Sequence, residues 1–125
     1  MDQPSMRELV SAVRDFLEQR AMPELKGHTA FHARVAANAL SIVARELESG
    51  GASAEAERSR LAKLLGHDGE LMELNRELCA AIRSGKLGLE TPGLAEHLTV
   101  TTRDKVSIDQ PNYSGLKRLL ADGAA

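Results

Sequence analysis

Tryptophan is absent, cysteine occurs once, and the aromatic side chains are Phe16, Phe31 and Tyr113 alone. Valine and isoleucine are also scarce, six and three residues against 18 alanines and 18 leucines. Strands draw on β-branched and aromatic side chains, whereas Ala and Leu are among the strongest helix formers. These scarcities therefore exclude a sheet protein and predict an all-α fold. The lone thiol of Cys79 excludes an intrachain disulfide and suits a reducing compartment, so the cytoplasm is expected. No excess of one charge exists either. Residues 1–62 carry 8 basic and 9 acidic groups, and residues 63–125 carry 8 and 9 again. Without a basic half or tail to follow a phosphate backbone, nucleic-acid binding is not expected. The longest uncharged apolar-rich run, between Arg34 and Arg45, is ten residues long. A bilayer needs about 20, so no membrane span is expected. The opening Met1-Asp2-Gln3-Pro4 lacks the basic start and apolar stretch of a secretion signal.

What is present is a balanced, foldable chain of 125 residues, 42% hydrophobic and 27% charged, expected to form one domain over 1–125 with an ordered core of about 4–120. Ser5-Met6-Arg7-Glu8 has the form of a capping box. Leu9, Val10, Val13, Phe16 and Leu17 then recur at helical spacing, predicting a first helix from about Ser5 to Arg20. Pro23 and Gly27 punctuate the connection that follows. A second helix is predicted from about Thr29 to Glu48, ending at Gly50-Gly51. At 100° per residue its side chains sort into three arcs. Arg34, Asn38, Ser41, Arg45 and Glu48 make a narrow polar arc. Val35, Ala39, Leu40, Val43 and Leu47 fill a broad apolar one. Ala33, Ala37 and Ala44 make a small-residue side open to a close neighbour. So much apolar circumference predicts a helix at the centre of the bundle.

Ser53 has the character of an N-cap for a third helix ended by Gly66, and Asp68 that of a cap for a fourth. The fourth carries Leu71, Leu74, Leu78 and Ile82 on one stripe and closes at Ser84-Gly85. Thr91-Pro92 reads as an N-cap followed by Pro at the first helical position. It opens a fifth helix to about Asp109, with Leu94, Leu98 and Ile108 inward. Gln110 to Tyr113 are expected to be extended around Pro111. Leu116 to Ala121 should add a short helical turn, with fraying from Asp122 to Ala125. The expected architecture is a single bundle of about five helices with an extended C-terminal segment.

Three stretches carry a resemblance in combination. They are Phe31-His32-Ala33-Arg34-Val35-Ala36-Ala37-Asn38-Ala39-Leu40, Glu70-Leu71-Met72-Glu73-Leu74-Asn75-Arg76-Glu77-Leu78-Cys79, and Asp104-Lys105-Val106-Ser107-Ile108-Asp109-Gln110-Pro111-Asn112-Tyr113. From about Pro4 to Leu116 the chain resembles a bacterial family of small proteins classed as a domain of unknown function. The family prefers Asn where Gln110 stands. Its members are often encoded beside, or fused to, aminoglycoside-phosphotransferase-like kinases, commonly near acyl-CoA dehydrogenases. The resemblance implies a partner of one of these kinds and assigns no catalytic residue.

The residues that could carry chemistry are few. His28 and His32 share the i,i+4 spacing of a metal-chelating pair, but no third ligand is evident beyond His67-Asp68, and no metal or cofactor is expected. Arg34, Asn38 and Arg45 on the polar arc could read separated anions or pair with carboxylates such as Asp104 and Asp109. Asn75 beside the leucine stripe reads as a register-fixing hydrogen bond or as part of a site. Glu46, on the apolar arc, needs either an open helix end or a cationic partner. Cys79 reads as a small core residue. Tyr113 either docks its ring at the bundle end or contributes to a binding surface. No dinucleotide loop, P-loop or nucleophile elbow is present. The expectation is an accessory or interaction protein, working with a phosphotransferase-like kinase or acyl-CoA-metabolising enzyme, or associating with itself. The alternative is a small-molecule-binding or catalytic subunit in which His32, Arg34, Asn38 and Asn75 line an interhelical pocket for an anionic ligand.

Overall fold

The computed structural model describes residues 3–123, and its contacts divide the chain into two compact units, Met1–Gly50 and Gly51–Ala125. Among the described residues there are six α-helices and no strand, so the protein is all-α as its composition requires.

The first unit holds α1 (Met6–Phe16) and α2 (Gly27–Arg45). The capping box forms. Ser5 Oγ accepts from the Glu8 amide and Glu8 Oε1 accepts from the Ser5 amide, each at 3.2 Å. Helical conformation runs on past α1 as a π turn over Leu17–Ala21 and a 3₁₀ turn over Met22–Glu24 that contains Pro23. Gly27 opens α2 at φ +63°, a left-handed conformation that glycine adopts without the Cβ penalty.

α2 packs against α1 with its small-residue side. Ala33 and Ala37 are its buried residues. The broad aliphatic arc does not take the central place expected of it. Val35 and Val43 remain 49% and 42% exposed, Leu47 is exposed, and Leu40 is half-buried. The reason lies in α1, which packs on α2 and has no buried residue, only the half-buried Val10, Ser11 and Arg14, so it makes no deep apolar groove. Alanine methyl groups permit the close approach. Gly50-Gly51 also fail to end the helical path. A π turn over Glu46–Gly50 leads directly into α3 (Gly51–Leu65), so Ser53 is not an N-cap. Glycine costs about 1 kcal/mol in a helix but does not forbid one. Gly50 is buried with the exposed Glu46 side chain folded against it, in space a Cβ would fill.

The second unit holds α3, α4 (Leu71–Arg83), α5 (Leu94–Asp109) and α6 (Ser114–Gly123). α3 packs against both α4 and α5, and α6 packs against α5. Leu61 of α3, Leu74 and Leu78 of α4 and Leu94 of α5 form the core, with Leu64, Leu65, Leu71 and Leu87 around it. Gly66 ends α3 at φ +84°, its amide bonded to the Ala62 carbonyl. Asp68 does not cap α4. Its carboxylate is taken by Arg58 and by the Gly69 amide, and Glu70 occupies the cap position with no side-chain bond. Ser84 and Gly85 close α4 as expected.

α5 begins two residues after Pro92. Thr91 Oγ1 turns back to accept from the Gly88 amide, and Gly93 at φ +88° precedes the first turn. The expected inward Leu98 is 44% exposed, and His97 takes the inner position, 2% exposed. Leu94, His97 and Thr101 lie on one stripe at i, i+3, i+7. Gln110 to Tyr113 form a turn rather than an extended run, closed by the Tyr113 amide on the Gln110 carbonyl at 3.0 Å. α6 is longer than the single turn expected and includes Asp122 and Gly123. The remaining residues expected to fray, Ala124 and Ala125, lie outside the described residues. No helix among the described residues is long and apolar enough to cross a membrane.

Candidate functional site

In the first unit, helix periodicity separates two surfaces. Val10, Ser11 and Arg14 are the less exposed positions of α1, and Leu17, in the turn just beyond it, is also half-buried. Leu9, Val13 and Phe16 lie about a third of a turn round the helix and are 46%, 52% and 58% exposed. Val43 of α2 stands about a quarter-turn from the buried Ala33 and Ala37, and Leu47 follows it in the π turn beyond α2. The short connection makes the two helices antiparallel, which brings both apolar stripes to one side of the hairpin. The polar arc falls on the other side. Arg34 and Asn38 are exposed, and Arg45 is half-buried. The Arg34 guanidinium stands 6.0 Å from the centre of the Phe31 ring, and His32 meets that ring edge-on at 5.6 Å. Among the described residues no three His, Cys, Asp or Glu side chains cluster as metal ligands.

In the second unit a buried polar network crosses the helices. Glu57 of α3 is 5% exposed. It accepts from Asn75 Nδ2 of α4 at 3.1 Å and faces Lys105 Nζ of α5 at 3.5 Å. An isolated buried carboxylate would be severely destabilising, and these partners offset its burial and orient it. Asn75 therefore ties α4 to α3. One turn along α3, Arg60 Nε donates to His97 Nδ1 and Arg60 Nη2 donates to Thr101 Oγ1, both at 3.0 Å. Burial, with the Arg60 charge beside it, holds the His97 pKa below the usual histidine value. The Arg60 bond also settles the tautomer: Nδ1 accepts, so Nε2 carries the hydrogen.

An open cavity of about 500 Å³ adjoins this network, lined by Arg60, Lys63, Leu64, His97, Glu96 and the Thr91–Gly93 turn. A second, of about 280 Å³, lies between α5 and α6 beside Tyr113, whose half-exposed ring covers Gly115. A third, of about 330 Å³, lies between Leu64 and Leu65 of α3 and the C-terminal end of α4. None of the three is lined by His32, Arg34, Asn38 or Asn75.

Elsewhere, His67 Nε2 bonds the Glu77 carboxylate at 2.8 Å, which raises the His67 pKa, with the Asp68 carbonyl assisting. Asp104 pairs with its neighbour Arg103 at 3.2 Å. Cys79, expected in the core, is exposed on α4.

Glu57, Arg60 and His97 escaped the sequence reading because a charged residue at an inner helical position looks like a solvated one. Spacing held the signal. Glu57 is one turn before Leu61, and His97 stands between Leu94 and Thr101 on the inward stripe.

No curated protein and no solved structure matches the chain. Residues 23–113, which take in the second helix, the buried network and the cavity beside it, match the model of DUF6285, a domain of unknown function, and the chain belongs to that family.

Proposed function

We propose that this protein is a non-catalytic accessory protein that docks onto a phosphotransferase-like kinase or an acyl-CoA dehydrogenase-type enzyme through the apolar side of its α1–α2 hairpin. The observation that carries this reading is the exposed stripe of Leu9, Val13, Phe16, Val43 and Leu47. With Met6 at the end of the stripe, these side chains offer roughly 600 Å² of apolar surface, estimated from their exposures and the size of such side chains. A stable interface takes about 800 Å² per partner, apolar at its centre and polar at its rim. The hairpin also buries no large side chain of its own, only Ala33, Ala37 and Gly50. The matching occupant is an amphipathic helix that lays its apolar stripe between α1 and α2. The kind of enzyme comes from the family resemblance, and a cytoplasmic setting from the lone thiol of Cys79.

The test is titration of the purified protein against a phosphotransferase-like kinase and an acyl-CoA dehydrogenase from the same source, with light scattering of the protein alone. Phe16→Ser and Val13→Asn should keep the fold and weaken association about tenfold or more, the loss of one interface hot spot. Arg34→Ala, on the other side of the hairpin, should leave association unchanged. Association that survives both apolar substitutions and fails with Arg34→Ala would move the interface to the polar arc and defeat this reading. A stable homodimer lost on Phe16→Ser would replace the enzyme partner by a second copy.

A further inference from the structure

The cavity between α3 and the start of α5 gathers hydrogen-bond donors from three directions. α3 contributes Arg60 and, one turn on, Lys63. Arg60 spends Nε on His97 and Nη2 on Thr101, which anchors the guanidinium and leaves Nη1 unspent. Lys63 is exposed and enters no ion pair among the described residues. α5 contributes its N-terminus. No side chain caps it, and the first-turn amides of Ala95 and Glu96 find no acceptor in a cap, a turn or the helix itself. Those amides and the helix dipole favour negative charge. The third contribution is His97, a lining residue only 2% exposed. Its Nδ1 is occupied by Arg60, so Nε2–H is a donor, and among the described residues no acceptor meets it. No buried side-chain nitrogen or oxygen among the described residues is left without a partner, so Nε2 keeps contact with solvent, and His97 lines the cavity. Against these donors stands one carboxylate, Glu96, which is exposed.

A buried histidine held in its donor tautomer, two cations and the helix N-terminus at Glu96 around one cavity, with the free Ala95 amide in the same turn, form a site built to receive negative charge. The volume, about 500 Å³, lies within the range of small-molecule pockets. It leaves room for a body beyond the anion, against Leu64 and Pro92. We propose that this cavity binds a small phosphomonoester, its phosphate held by Arg60, Lys63, His97 Nε2–H and the first turn of α5. Donors arriving from three directions suit a tetrahedral oxyanion better than a planar carboxylate, which a single guanidinium fork would satisfy. The site lies wholly within the second unit and is independent of the docking surface on the hairpin.

The experiment is a titration of the full chain at constant ionic strength, followed by amide and histidine NMR. The probes are inorganic phosphate and phenyl phosphate, with acetate and chloride for comparison. Saturable shifts at Ala95, Glu96 and His97 are expected with both phosphates, and phenyl phosphate should bind more tightly. Two exposed variants, each checked by its melt, give opposite signs. Lys63→Met should weaken phosphate binding about threefold or more, and Glu96→Gln should tighten it. Acetate binding as tightly as phosphate would overturn the assignment. So would affinities unchanged in both variants, or no saturable shift up to about 10 mM phosphate or phenyl phosphate, beyond the millimolar range of a weak specific site.

Discussion

Leu61→Ala tests where the stabilising core of this protein lies. Leu61 is fully buried in α3, against Leu74 and Leu78 of α4 and Leu94 of α5. Truncation removes three carbons from a closed environment. At about 0.8 kcal/mol per buried methylene, the transfer loss is about 2.4 kcal/mol. The space vacated collapses only in part, because its lining belongs to three different helices. The residual cavity adds about 1 kcal/mol or more at ~24 cal/mol per Å³. The expected loss is therefore about 3–4 kcal/mol, a large share of the stability of a small unit. Val43→Ala is the counterpart. Val43 is 42% exposed on α2, so removing two partly hydrated carbons should cost less than about 1 kcal/mol. Urea melts of wild type and both variants, followed by circular dichroism, make the comparison. Leu61→Met should retain most of the stability, because it conserves volume. The reasoning is refuted if Val43→Ala lowers the midpoint as far as Leu61→Ala does, because that would return the core to the second helix.

Three further outcomes follow from local environment. In NMR titration His67, raised by Glu77, should change charge above pH 6.5, and His97, lowered by burial and Arg60, below it; the reverse order would contradict both environments. Because the unfolded chain binds the His97 proton first, that residue's contribution to stability is complete above about pH 6.5 and is lost as pH falls toward its depressed folded value. A His67→Gln background removes the histidine of opposite sign, so urea midpoints there should fall below pH 6.5; flat midpoints would place His97 in water. Cys79 is exposed on α4, so Ellman's reagent should titrate one thiol in the native protein. Reaction only after denaturation would put it in the core.

The sequence by itself determined the fold class, because Ala and Leu in place of β-branched residues leave helix as the favourable way to satisfy the backbone. It also determined most of the punctuation. The Ser5–Glu8 box, Gly66 and Ser84-Gly85 act through contacts within one turn, and all three hold. Signals whose side chains had a better partner nearby did not hold. Asp68 was claimed by Arg58 and the Gly69 amide, and Thr91 by the Gly88 amide. Of the candidate site residues, Asn75 alone joins the network beside the largest of the three cavities, through Glu57. Only the tertiary structure decided which face of an ambiguous helix is buried. Val35, Val43 and Leu47 are more hydrophobic than Ala33 and Ala37, yet the alanines are buried, because a close helix–helix approach on one side selects for small side chains there. It alone decided, too, that Glu57 and His97 are interior. Burying them requires Asn75, Lys105 and Arg60 to arrive from other helices, 18, 48 and 37 positions away along the chain, and periodicity carries no record of such pairings.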